Sequence, residues 1–128
     1  MFVLDSDLLV SALRNKADAV SALEKFQMQS CCTTSVNALE LLAGAFASKR
    51  ESNVSSAKAL LSALPLIEFD YLAAEKTALF QAALQEKGQM LEIRDALIAG
   101  IASSRGAILV TRNLKHFNRV PGLKVVKW

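Results

Sequence analysis

The sequence predicts an α/β protein: a small, mostly parallel β-sheet flanked by helices on both faces. Three observations lead there. Short β-leaning runs recur along the chain, at Phe2-Val3-Leu4, Cys31-Cys32-Thr33-Thr34, Leu66-Ile67-Glu68-Phe69, Ala107-Ile108-Leu109-Val110 and Lys124-Val125-Val126-Lys127. Segments with apolar residues at helical spacing separate most of them, which is the pattern of βαβ units. The length, 128 residues, suits one domain over 1–128, and no repeat, linker or low-complexity tract divides it.

The elements follow in order. Phe2 to Leu4 are strand formers, while Leu8, Leu9, Ala12 and Leu13 recur at helical spacing. A buried strand is expected to end at Asp5, with Ser6 as helix N-cap and Asp7 in the first turn. A second helix is expected over 17–29, on Val20, Leu23 and Phe26. After the second strand, Thr34 or Ser35 caps a third helix to about residue 48, with Val36, Leu39, Ala43 and Phe46 as its inward stripe. A fourth helix spans 51–64 and stops at Pro65, which also suggests an edge position for the third strand. Asp70 caps a fifth helix over 71–87, ended by Gly88. A sixth spans 91–104 and stops before Gly106. Pro121-Gly122 marks a turn before the last strand.

Composition narrows the class. The hydrophobic fraction is 52% and the mean hydropathy +0.29, yet no apolar run reaches the ~18 residues that span a bilayer. No basic leader precedes the first strand, so no signal peptide is read. The apolar excess points to a heavily buried sheet and a surface that buries itself in a partner. The adjacent Cys31 and Cys32 would point to opposite strand faces, which suits two buried thiols in a reducing cytoplasm rather than a disulfide. One His and no CxxC leave too few soft ligands for zinc. Net charge is +3, and beyond Asp95 there is no acid but Arg105, Arg112, Lys115, Arg119, Lys124 and Lys127. That asymmetry suits a polyanion, or a basic edge that is solvated or paired with acids elsewhere.

Three acids carry chemistry. Asp5 ends a buried strand, where open parallel sheets bind ligands. Glu40 and Asp95 share the apolar sides of their helices, with Gly44 and Gly100 about one turn on. Each could be a cap, an ion-pair partner or a surface carboxylate. Together in low dielectric they would repel unless a cation neutralises them. All-carboxylate oxygens suit Mg²⁺ or Mn²⁺. If the strands before Asp5 and Thr111 are parallel neighbours, Thr111 and Asn113 arrive beside Asp5, and Arg112 brings a phosphate-sized fork. Carboxylates around a hard divalent ion, edged by arginine, are what phosphodiester hydrolysis needs.

These residues resemble a known family. Leu4-Asp5-Ser6-Asp7-Leu8-Leu9, Asn37-Ala38-Leu39-Glu40-Leu41-Leu42-Ala43-Gly44-Ala45, Arg94-Asp95-Ala96-Leu97-Ile98-Ala99 and Leu109-Val110-Thr111-Arg112-Asn113 are similar to the ordered motifs of PIN-domain ribonucleases. The tail from Phe117 to Trp128 resembles that of the VapC-type toxins. The resemblance implies an α/β/α domain, a Mg²⁺ or Mn²⁺ site, endonucleolytic cleavage of RNA, a homodimer, and a cognate antitoxin lying across the active-site groove. By position, Asp5, Glu40 and Asp95 match the three core acids and metal ligands. Asn113 falls where many relatives carry a fourth Asp and others Asn, and counts as a fourth catalytic position. Where a further acid often follows, this chain has Lys115-His116. Asp7, where relatives often have Asn, is a supporting carboxylate. Arg112 and Lys115 are candidates for the substrate phosphates, Ser6 and Thr111 for hydrogen bonds in the site, and His116 for proton transfer or simple exposure. Phe117 and Trp128 are expected to pack rather than stack on bases.

Other readings remain at this point. A degenerate PIN domain would bind RNA or protein without cutting. Asp5-Ser6-Asp7 also resembles the first motif of haloacid-dehalogenase-type phosphatases, but Leu8 follows where Gly or Thr is usual. A response-regulator receiver would leave Glu40 and Asp95 unexplained.

Overall fold

The computed structural model describes residues 1–128. β1 (Phe2–Leu4) runs into α1 (Ser6–Leu13), and α2 (Ala17–Gln27) returns the chain to β2 (Cys31–Thr34). α3 (Ser35–Ala47) and α4 (Glu51–Ser62) lead to β3 (Leu66–Ile67). α5 (Tyr71–Glu86) and α6 (Ile93–Ser104) lead to β4 (Ile108–Val110), and a short α7 (Leu114–Phe117) to β5 (Lys124–Val126). The strands form one sheet in the order β3-β2-β1-β4-β5, and every pairing is parallel. β1 lies at the centre, with Phe2 paired to Cys31 on one side and Ile108 on the other. From β1 the chain winds outward to β2 and β3, then crosses back to β4 and β5. The connections after β1 and β4 therefore diverge and open a crevice at the strands' carboxyl ends.

The pleat of the strands separates two cores. Val3, Cys32 and Leu109 face Phe80, Leu84, Ile98, Ile101 and Phe117 from α5, α6 and α7. Leu4 and Val110 face Leu8, Leu9, Phe26, Leu41 and Leu61 from α1 to α4. Leu8 and Leu9 are fully buried, each worth about 1.5–3 kcal/mol of transfer free energy. These cores clamp the first turn of α1 onto the sheet, and so fix Asp5.

All five expected strands are present, and β3 is an edge strand of two residues beside Pro65. Asp70 caps α5 through the Ala73 N–H, as expected. Four readings need correction. The N-cap of α1 is Asp5, not Ser6: Asp5 Oδ1 accepts from the Ser6 N–H at 2.8 Å. The sixth helix starts at Ile93 rather than residue 91. The Gln81 side chain takes both the N–H and the carbonyl of Leu91, at 2.9 and 3.0 Å, and holds it outside the helix. α7 is too short to leave a periodic signal. The inward face of α3 is Val36, Asn37, Ala38, Leu41 and Ala45, while Leu39 and Phe46 point outward, 63% and 58% exposed. Asn37 turns the helix this way, because its amide is drawn to Asp5, Ser6 and Thr34. The thiols are free, Cys32 buried and Cys31 partly so. Burial raises both, Cys32 to about 11, which makes it unreactive. No helix is long and apolar enough to cross a membrane.

Candidate active site

Asp5 sits where β1 becomes α1, 7% exposed. Its Oδ1 accepts from the Ser6 N–H and from Asn37 Nδ2 at 2.9 Å. Its Oδ2 accepts from Thr111 Oγ1 at 2.7 Å. Thr111 closes β4, whose parallel pairing with β1 aligns Leu4 with Val110 and carries the hydroxyl to Asp5. Burial pushes the Asp5 carboxyl up to about 6. The Thr111 hydroxyl opposes the rise, the Asp7 charge adds to it, and the Ser6 and Asn37 donors oppose it. A carboxylate held high by lack of solvent is a poised cation ligand or proton acceptor.

Glu40 arrives on α3 and Asp95 in the first turn of α6. Both are partly buried, less than a shared apolar stripe implies, because α3 is rotated and α6 starts late. Glu40 is raised by desolvation, eased by the Arg94 charge and the Ser6 hydroxyl, and raised again by Asp95 and Glu92. The Asp95 charge reaches Glu40 as a smaller effect behind desolvation. Asp95 Oδ2 lies 3.1 Å from His116 Nδ1 and 3.5 Å from Asn113 Nδ2. His116 Nδ1 is also 3.0 Å from Asn113 Nδ2. Protonated there it donates to Asp95; in the other neutral tautomer it accepts from Asn113. His116 is thus on α7 beside an acid, not adrift in a loop. Lys115 is exposed on the same helix.

Arg112 is engaged elsewhere. Its Nη2 bridges to Asp18 at 2.6 Å, its Nε donates to the Trp128 carbonyl at 3.1 Å, and its guanidinium carbon lies 3.6 Å from the Trp128 ring centroid. The fork expected for phosphate already has partners. Arg105 likewise bridges to Asp70, so part of the basic C-terminal third pairs with acids elsewhere. Trp128 packs against the core beside Leu4 and Val110, and Phe117 is fully buried; neither offers a free stacking face. Asp7 accepts from the Arg112 N–H at 2.7 Å and from Trp128 Nε1 at 3.2 Å.

Two residues that sequence reasoning passed over belong here. Asn37, quoted in a motif but given no role, is fully buried and ties Asp5, Ser6 and Thr34 together. A polar residue inside an apolar helical run was the available signal. Arg94, next to Asp95, is the arginine whose charge reaches Glu40. Beyond Glu40 a groove of about 250 Å³ runs past Val10, Arg14, Gly44 and Asn53.

In donor type the site fits a hard divalent cation: three carboxylates, two of them raised by burial. As placed, no three His, Cys, Asp or Glu side chains converge closely enough to hold one ion. Two of the carboxylates engage protein groups instead: Asp5 accepts from Thr111 and Asn37, and Asp95 lies 3.1 Å from His116 Nδ1.

The chain matches the PIN domain family over residues 2–123. It is 32% identical over 128 residues to the "tRNA(fMet)-specific endonuclease VapC" of Salmonella typhimurium, covering 99% of this chain and 97% of that one. It is 30% identical to "Ribonuclease VapC2" of Rickettsia felis, covering 100% and 98%. Among solved structures, VapBC2 from Rickettsia felis bound to a DNA fragment from their promoter superposes with a TM-score of 0.91 at 29% identity, over 99% and 98% of the two chains. DNA-bound VapBC from Salmonella typhimurium gives 0.88 at 32% identity, over 99% and 97%. The chain belongs to the PIN-domain family and, within it, to the VapC-type ribonucleases. It is an RNA-cleaving hydrolase, the toxin of a toxin–antitoxin pair, which displaces the phosphatase and receiver readings. PIN-domain nucleases generally use a divalent metal.

Proposed function

We propose that the chain cuts a transfer RNA endonucleolytically, with Mg²⁺ or Mn²⁺ held by Asp5, Glu40 and Asp95. The observation that carries this reading is Asp5, buried at the switch point of the sheet and raised to about 6 by burial with Asp7 beside it. Such a carboxylate is stabilised by a cation more than an exposed one would be. When bound, the ion supplies positive charge for the scissile phosphate and acidifies water. The chain's own residues set the rest. Thr111 and Asn37 orient Asp5, and Ser6 lies between Asp5 and Glu40. Asn113 holds Asp95 and His116 in one hydrogen-bonded group, and His116 passes a proton at Nδ1. Lys115, exposed on α7 beside His116, takes the substrate phosphates in place of the engaged Arg112. The choice of transfer RNA rests on the Salmonella typhimurium relative.

The same reading gives the protein a cognate antitoxin, in keeping with the toxin–antitoxin complexes among its structural relatives. It also makes the protein a homodimer of single domains, 1–128, acting in the cytoplasm. Leu39, Phe46, Leu72, Leu79 and Ile93 are exposed and supply apolar surface for these contacts. The test is to incubate the purified protein with total RNA and Mn²⁺ and map the new 5′ and 3′ ends. Cuts confined to one or a few transfer RNAs are expected. Cuts confined to messenger or ribosomal RNA would contradict the substrate assignment while leaving the nuclease in place.

A further inference from the structure

We propose that the C-terminal Trp128, held by Arg112, is a positioning residue for the nuclease: its indole N–H satisfies Asp7 and so directs the single Thr111 hydroxyl proton to Asp5. The inference rests on Asp5 as a catalytic carboxylate and deepens that reading.

Thr111 Oγ1 lies 2.7 Å from Asp5 Oδ2 and 3.2 Å from Asp7 Oδ2. A hydroxyl has one proton to donate. The Asn113 N–H donates to the same oxygen at 3.0 Å, so that proton faces a choice between two carboxylates. What decides it is how well Asp7 is supplied by others. Asp7 Oδ1 accepts from the Leu8 N–H at 2.7 Å and from Trp128 Nε1 at 3.2 Å. Its Oδ2 accepts from the Arg112 N–H at 2.7 Å. The indole is the one side-chain donor among those three.

Trp128 stays in place through Arg112. The guanidinium stacks 3.6 Å from the ring centroid, and Nε holds the Trp128 carbonyl at 3.1 Å. Asp18 on α2 fixes the far end of the guanidinium at 2.6 Å. Asp18, Arg112, Trp128, Asp7, Thr111 and Asp5 thus form one line of contacts from an exposed helix to the buried carboxylate. Without the indole donor, Asp7 competes for the Thr111 proton, and Asp5 loses the hydrogen bond that fixes Oδ2.

The test uses the full chain. Its single tryptophan gives one indole N–H resonance. That resonance is expected to shift on titration with Mg²⁺ alone, and to stay still in Asp5→Asn. Trp128→Phe keeps a ring for Arg112 and removes the donor. It is expected to hold the wild-type melting temperature and lose roughly 3- to 10-fold in kcat, the net effect of about one ordinary hydrogen bond, with KM unchanged. Arg112→Gln frees the ring and is expected to change kcat in the same direction. Unchanged kcat in both folded variants would overturn the proposal, as would an indole signal indifferent to saturating Mg²⁺. A raised KM with kcat intact would overturn it too, by placing Arg112 and Trp128 on the RNA. Loss of Mg²⁺-dependent cleavage in Asp5→Asn tests the underlying reading separately, because it holds or fails whatever Trp128 does.

Discussion

At the scale of the residue, Asp5 concentrates the argument. Its side chain caps α1, accepts from Thr111 and Asn37, and stays almost wholly out of water. Its pKa lies above the ordinary value, at about 6 against 3.8. The folded state therefore holds this proton more tightly than the unfolded chain does. Stability of the protein without added metal should fall as pH rises from about 3.8 to about 6, and the loss is complete above that window. At 1.36 kcal/mol per unit the ceiling is about 3 kcal/mol. Asp5→Asn should flatten this stretch of a denaturation-versus-pH curve and leave the neutral-pH protein at least as stable as wild type. A variant less stable than wild type at pH 7 would mean that the carboxylate, despite its burial, stabilises the fold. Asn37→Ala should act in the opposite sense. It strips side-chain partners from Asp5, Ser6 and Thr34 in a fully buried position. A cost of about 2–3 kcal/mol in chemical denaturation is expected, together with loss of cleavage.

At the scale of the element, the two helical glycines beside the acids behave differently although their sequence contexts look alike. A Cβ on Gly100 would stand 1.8 Å from Thr77 Oγ1 and 2.9 Å from the Ala73 carbonyl oxygen. That contact sets how closely α6 approaches α5, and hence where Asp95 is carried. Gly100→Ala should cost at least about 1–3 kcal/mol and impair cleavage by displacing the first turn of α6. A Cβ on Gly44 would meet nothing within 4 Å, in the groove beyond Glu40. Gly44→Ala should stabilise α3 by about 0.5–1 kcal/mol. Paired thermal melts of the two variants check both signs. The alternation of β-leaning and helical runs was enough to read every strand and six of the seven helices. The sequence could pose the parallel pairing that brings Thr111 to Asp5 only as a condition, and the sheet meets it. The facing of α3 was not legible, because Leu39, Ala43 and Phe46 make as good an apolar stripe as the buried one. Only the three-dimensional demand on Asn37 decides between them. The pairing of Arg112 with Asp18 was equally hidden, since 94 residues separate them.

At the scale of the whole molecule, three of the four residues read as the inward stripe of α3, Leu39, Ala43 and Phe46, form an outward face, while Val36 is buried. Phe46 carries the Lys58 ammonium 5.9 Å from its ring centroid and is otherwise exposed. Phe46→Ser should leave the fold within about 0.5 kcal/mol of wild type, as exposed substitutions do. It should weaken assembly, read as a lower mass in light scattering or weaker antitoxin binding. An unchanged assembly would assign the face to solvent. The site itself is assembled from separate parts of the sequence: the end of β1, the middle of α3, the start of α6 and the end of β4. No one of them is a nuclease motif by itself, and the sheet order puts Asp5 and Thr111 together at the point where the winding reverses.

The measurement that tests the central claim most directly is RNA cleavage by wild type beside Asp5→Asn, each with EDTA, Mg²⁺ or Mn²⁺, on protein freed of antitoxin. The account predicts discrete fragments from the wild type with either metal, none with EDTA, and at least a hundredfold loss in Asp5→Asn with its fold intact. Cleavage that persists in EDTA, or that survives in the folded variant, would contradict it.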